Sequence, residues 1–263
     1  IDKCLQKFKK TREEYNKFAS MLLGEYGGIL FRDHCLKFIN KSSFLSLKEF
    51  NKIFIRMFRY LEPLFIGLIE LKKHKIIHQD LSLQNIIFKN NQCYMIDFGL
   101  SCKYSNTKAI KERSRKQMTG SRIYDPYPYD YVYLYGTKKE LRSELNMLQR
   151  KIYRENHEDY IRIHKDIFNR NNIDELIRNN LLYKSTNKRK VYQNLDTYSL
   201  GILLPNFICD LSEKYNIPKK QLLKCFHSIQ IQNHLSLLKD MTEYHSKNRI
   251  PIKEAYERYK NLI

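Results

Sequence analysis

Apolar positions recur at helical spacing through residues 46–74. Phe50, Ile53, Phe54, Met57, Leu61, Leu64, Leu68 and Leu71 fall on one stripe. Ser46, with Glu49 three residues on, makes a capping-box pattern at its start. Pro63 interrupts the stripe, so the pattern predicts two helices rather than one. Two short runs, Ile86-Ile87-Phe88 and Tyr94-Met95-Ile96, read as β-strands, and Lys89-Asn90-Asn91-Gln92 supplies a turn between them. Residues 18–23 also read as a strand. Residues 137–183 read as helices: Thr137 and Glu140 form a second capping box, Leu141, Leu145, Leu148 and Ile152 follow at 4-3-4 spacing, and Asp174-Glu175 open another turn. The longest apolar run, residues 200–209, carries Pro205, and no run is long enough to span a bilayer.

The candidate chemistry lies around the predicted hairpin. His78-Gln79-Asp80-Leu81-Ser82-Leu83-Gln84-Asn85 precedes it and Ile96-Asp97-Phe98-Gly99-Leu100 follows it. A carboxylate, a carboxamide and a second carboxylate converging there suit phosphoryl transfer. One carboxylate orients the attacking hydroxyl, and the other two groups hold Mg²⁺ ions that neutralise the phosphates. Taken singly, either motif is common and reads as a turn cap or a strand end. Their order and separation in one segment is the stronger signal. The arrangement resembles the catalytic loop and DFG motif of eukaryotic-type protein kinases.

That resemblance implies an α+β, protein-kinase-like fold. It would be mainly the α-helical C-lobe, with a remnant of the N-lobe sheet at 1–24, a hinge at 25–30, and a C-lobe at 31–263 with a helical insertion at about 131–190. The implied cofactors are ATP and Mg²⁺. Adenine would meet the Glu25 carbonyl and the Gly27 amide, with Ile87 beneath it. The implied catalytic positions are Asp80, Ser82 and Ser121, and the metal-holding ones Asn85 and Asp97. His78 and Phe98 would stack in the core and lock the loop. Gly120-Ser121-Arg122-Ile123-Tyr124 and Pro126-Tyr127-Pro128-Tyr129-Asp130 resemble the end of an activation segment. Asp196-Thr197-Tyr198-Ser199-Leu200-Gly201 resembles the start of the buried central helix, whose Asp accepts hydrogen bonds from the catalytic-loop backbone. Arg249, with Glu254-Ala255 after it, resembles the last signature, and its expected partner is Asp130.

The chain also departs from the family. It has eight glycines and no GxGxxG, and no strand carrying the ATP-anchoring Lys fits within residues 1–24. It therefore reads as a fragment of a longer kinase or a truncated relative. Gln79 replaces the Arg that gathers an activation-segment phosphate, so switching through that residue is not expected. Ser82 replaces the Lys that contacts the transferring phosphate, as in atypical kinases and small-molecule phosphotransferases. Basic groups from elsewhere, or a second metal, would have to compensate. Gly24 falls at the gatekeeper position.

Charge changes the picture little. Lys and Arg number 48 against 28 Asp and Glu, a net +20 spread along the chain with short clusters at residues 111–116 and 188–190. This implies weak polyanion or DNA-associated contacts, but there is no long basic arm. The six cysteines, at 4, 35, 93, 102, 209 and 225, have no metal-site spacing and read as core residues of a reducing compartment. The expected setting is intracellular: cytoplasm or, if the chain is viral, host cytoplasm or virion, since the hinge and long insertion look like divergent kinases of large DNA viruses. The first functional expectation is an ATP-dependent kinase acting on Ser or Thr hydroxyls of a protein substrate. The alternatives are a pseudokinase scaffold and a small-molecule phosphotransferase.

Overall fold

The computed structural model describes residues 27–119, 127–128, 131, 134, 162–170 and 188–263. Helices dominate, and two small sheets lie beside them, the α+β balance that the sequence leads one to expect.

The apolar stripe forms two helices, α2 (Leu47–Arg59) and α3 (Glu62–Lys73), after a short α1 (Phe31–Leu36). The Ser46 hydroxyl accepts the Glu49 amide at 3.4 Å, while the return bond that would complete the box is absent among the described residues. Pro63 sits in the first turn of α3, where its missing N–H costs nothing. Phe50, Phe54, Met57 and Phe58 of α2 are all buried. Each such side chain contributes about 1.5–3 kcal/mol of apolar burial.

The hairpin forms with its second strand shifted from expectation. Strand β3 (Ile86–Lys89) pairs antiparallel with β4 (Gln92–Met95) through Lys89↔Gln92. The loop is Asn90-Asn91, with φ of 50° and 59°, the two-residue turn whose twist matches that of the strands. Ile96 leaves the ladder but returns its amide to the Asn85 carbonyl at 3.0 Å. Strand β1 (Ile29–Leu30) adds to the other edge of β3, so these residues of the expected hinge are a sheet strand leading straight into α1. Gly28 precedes it at φ 118°, where a Cβ would sit 2.5 Å from the Phe88 carbonyl oxygen. A second sheet pairs β2 (Ile76–Ile77) with β5 (Cys102–Lys103), which brackets the segment that carries Asp80 and Asp97.

After β5 come α4 (Thr107–Thr119), a π-helical turn (Arg162–Ile167) and α5 (Lys188–Gln193). The long apolar run becomes α6 (Leu195–Lys214), buried along most of its length with Pro205 inside it. Three more helices complete the described chain: α7 (Lys219–Phe226), α8 (Gln232–Met241) and α9 (Ile252–Lys260). Gly201 lets α6 approach α8 closely, since a Cβ there would lie 2.7 Å from the Met241 Cβ. The Tyr259 hydroxyl ties α9 to the end of α2, within 3.0 Å of the Phe58 and Arg59 carbonyls. A second, smaller core joins Ile77, Ile110, Tyr127, Tyr131, Leu134, Val191 and Leu195.

Four cysteines, Cys35, Cys93, Cys209 and Cys225, are buried as expected, and burial pushes the Cys93 and Cys209 thiols up to about 12. Cys102 differs: it is half-buried and its sulfur accepts the Gln79 carboxamide. The expected strand at residues 18–23 and most of the insertion at 131–190 lie outside the described residues. No described helix is long and apolar enough to cross a membrane.

Candidate active site

A loop between β2 and β3 carries the first part of the site, and a half-buried carboxylate holds it. Asp196, in the first turn of α6, accepts the His78 amide at 2.8 Å and the Gln79 amide at 3.1 Å. This is the anchoring expected of it. Burial raises the pKa of its carboxyl, and the two backbone bonds oppose that rise. The buried His78 donates from Nε2 to the Ile96 carbonyl at 3.1 Å, which leaves Nδ1 to accept the Asp80 amide at 3.3 Å. One imidazole thus joins the loop to the segment that carries Asp97. Ser101 Oγ adds a bond to the His78 carbonyl at 3.1 Å.

Asp80 is oriented by Asn85. The carboxamide nitrogen of Asn85 donates to the Asp80 carbonyl at 2.8 Å and to its Oδ2 at 2.9 Å. With its nitrogen spent on these two bonds, what Asn85 can still offer a ligand is its carboxamide oxygen. Asp97 stands at φ 61° and ψ 73°, a left-handed conformation uncommon for a residue other than glycine, and its Oδ1 accepts the Gly99 amide at 3.1 Å. The exposed Asp97 carboxylate and the Asn85 oxygen are hard donors of the kind Mg²⁺ takes when phosphates and waters fill the remaining positions. The residues present therefore fit a Mg²⁺–nucleotide. No group of three or more His, Cys, Asp or Glu side chains that could hold a metal by themselves exists among the described residues.

The structure places the other expected site residues unevenly. Ile87 and Gly27 meet on one side of the β3 sheet: a Cβ on Gly27 would sit 2.9 Å from Ile87 Cδ1. Ser82 is half-buried at the head of the 3₁₀ turn Leu83–Asn85, and its side chain caps nothing there. Glu25, Gly24, Ser121 and Asp130 lie outside the described residues. One expectation is corrected. Phe98 touches His78, with ring centroids 4.7 Å apart, but it is 48% exposed and does not stack in the core. Its neighbour Asp97 is left-handed, and the ring reaches the surface beside the half-buried end of the hairpin.

Gln79 is fully engaged by neutral groups. Buried and left-handed at φ 62°, it donates to the Leu100 carbonyl at 2.8 Å and accepts the Tyr131 hydroxyl at 2.8 Å. The Tyr127 hydroxyl bonds its backbone carbonyl. Where the family's Arg would hold a phosphate, two tyrosine hydroxyls dock without one.

The sequence did not single out Arg113. It lies on α4, in the basic cluster first counted only as charge. Its Nε donates to the Tyr127 hydroxyl at 3.0 Å and its Nη2 stands 3.8 Å from Asp80 Oδ1. Burial works against its charge, but Tyr127 and Asp80 more than offset this and raise its pKa. Arg249 is buried, donates to the Glu243 carbonyl at 2.9 Å and lies over the Tyr198 ring.

This geometry has a counterpart among known proteins. Residues 29–115, from β1 to α4, match the RIO domain. The chain is kinase-like. The match covers the loop with Asp80, the hairpin, Asp97 and Arg113. A second similarity is to "Serine/threonine-protein kinase 1" of Heliothis zea nuclear polyhedrosis virus, 35% identical over 54 residues. That stretch is 20% of each protein, so the chain spans about a fifth of the length of the curated relative it matches. The start of α6 beneath the Asp80 loop is the arrangement that a kinase-like fold leads one to expect.

Proposed function

We propose that this kinase-like chain carries the phosphoryl-transfer site of an ATP- and Mg²⁺-dependent kinase acting on protein Ser or Thr hydroxyls. The observation that carries the reading is the hold on Asp80. Its Oδ2 is fixed by Asn85, its amide by His78, and the loop beneath it by Asp196. A carboxylate so constrained is built to orient a hydroxyl for attack, and positioning is most of what an enzyme supplies to phosphoryl transfer. Bound Mg²⁺ would neutralise phosphate charge between Asn85 and Asp97. Gly27 and Ile87 would border the adenine, with Glu25 at the preceding hinge and Ser121 beside the acceptor hydroxyl. Preference for a protein acceptor is supported by the viral relative, which is named a serine/threonine-protein kinase.

The test is an acceptor screen with γ-labelled ATP and the full-length protein, offering basic and acidic protein substrates beside small alcohols. Label on Ser or Thr of a protein is the expected result. Label on small alcohols alone would move the reading to a small-molecule phosphotransferase. No transfer, with ATP still bound, would favour a scaffold.

A further inference from the structure

We propose that Arg113 is the phosphate-binding cation of this site, taking the place of the Lys that Ser82 replaces. The inference rests on the kinase reading above and adds a residue to it.

Removing the Lys two residues beyond the catalytic Asp leaves a charge deficit, because charge developing on the transferring phosphoryl group needs fixed positive partners. Among the described residues, the cation that reaches Asp80 is Arg113. Its approach is directed. Tyr127 receives its Nε and is itself bonded to the Gln79 carbonyl, one residue from Asp80. The guanidinium is therefore held by the same loop that carries the carboxylate. It is not perched on an independent lid.

The distance fits a shared cation. At 3.8 Å, Nη2 is too far from Oδ1 for a hydrogen bond but close enough for attraction, while Asn85 holds the other carboxylate oxygen. A cation sealed onto Asp80 would block it. One standing off to the side can face both the carboxylate and a phosphate, and the planar guanidinium suits phosphate oxygens. Arg113 and Asp80 side chains are 23% and 19% exposed, so the pair is sheltered from bulk water, which strengthens its electrostatics.

Nucleotide binding and transfer should be measured on full-length wild type, R113M, R113K and the double variant S82K/R113M, with melting temperatures as a folding control. R113M should weaken ATP binding about tenfold or more while leaving ADP binding within twofold, and lower transfer about 10²-fold. R113K should fall between. S82K/R113M should recover much of both losses, which a merely structural Arg113 would not allow. Equal weakening of ATP and ADP, no rescue by S82K, or faster transfer by R113M (the mark of an inhibitory latch) would overturn the proposal. If wild type transfers phosphate and R113M matches it, the inference fails and the kinase reading stands. If wild type binds neither nucleotide, both fail.

Discussion

Gln79 shows how one substitution reshapes a site. An Arg in its place would need a phosphate to satisfy it. The neutral carboxamide is satisfied at once by the Leu100 carbonyl and the Tyr131 hydroxyl. Tyr131 is buried, so docking of its hydroxyl is part of the folded core rather than a reversible event. Y131F should leave the Gln79 oxygen without that donor and cost about 1–3 kcal/mol, read as a lower denaturant midpoint. An unchanged midpoint would show that water replaces the hydroxyl at no cost. His164 offers a second test. Arg170 can only donate, so His164 Nδ1 accepts from it at 2.7 Å, and Nε2 donates to the Tyr198 hydroxyl at 2.8 Å. Burial, then the charges of Arg170 and Arg249, hold its pKa well below the usual 6.5. The unfolded chain thus takes up a proton below about pH 6.5 that the folded chain refuses. Stability contributed by neutral His164 is full above that pH and falls as pH drops, by up to about 1.4 kcal/mol per unit. Thermal melts between pH 7.5 and 5 should show this fall, and it should be shallower in H164Q. Parallel slopes for the two proteins would contradict the assignment.

Elements differ in how far the sequence foretold them, and the reason is range. The break between α2 and α3 follows from Pro63 and the stripe beside it. The hairpin follows from two β-rich runs and an Asn-Asn turn, although β4 begins two residues earlier than its apolar pattern implies because the tight loop fixes the register at Lys89↔Gln92. Even the link from α6 to the loop was legible, since the motif around Asp196 carries it. What was not legible depends on packing between distant segments. Gln79 and Tyr131 are 52 residues apart, and nothing local marks them as partners. Arg113 sat unmarked among other basic residues, because only the docking of α4 turns its side chain toward Asp80. Phe98 was expected inside, where the motif places it, yet it lies at the surface and touches the edge of the loop through His78. At this scale the close approach of α6 and α8 is testable. G201V should force α6 away from Met241 and Thr242 and cost roughly 1–3 kcal/mol or more by thermal melting. A melting point within a degree of wild type would mean that the helix pair yields freely.

Across the whole molecule, the described chain is a helical body whose aromatic core holds the small sheets and the loop between them. Along α2 and α7 the Phe54 ring lies within 6.5 Å of the Phe50, Phe58 and Phe226 rings, in stacked and edge-on contacts away from Asp80 in sequence. Stability and chemistry are therefore largely separable: replacing Asp80 or Asp97 removes no core contact. That separability allows a decisive experiment. Transfer of γ-labelled phosphate should be measured for the full-length wild-type protein and for D80N, after confirming equal melting temperatures. The account predicts that D80N stays folded, still binds Mg²⁺–ATP, and transfers phosphate at least about 10²-fold more slowly. A folded D80N that works at the wild-type rate would contradict the assignment of this loop as the catalytic centre.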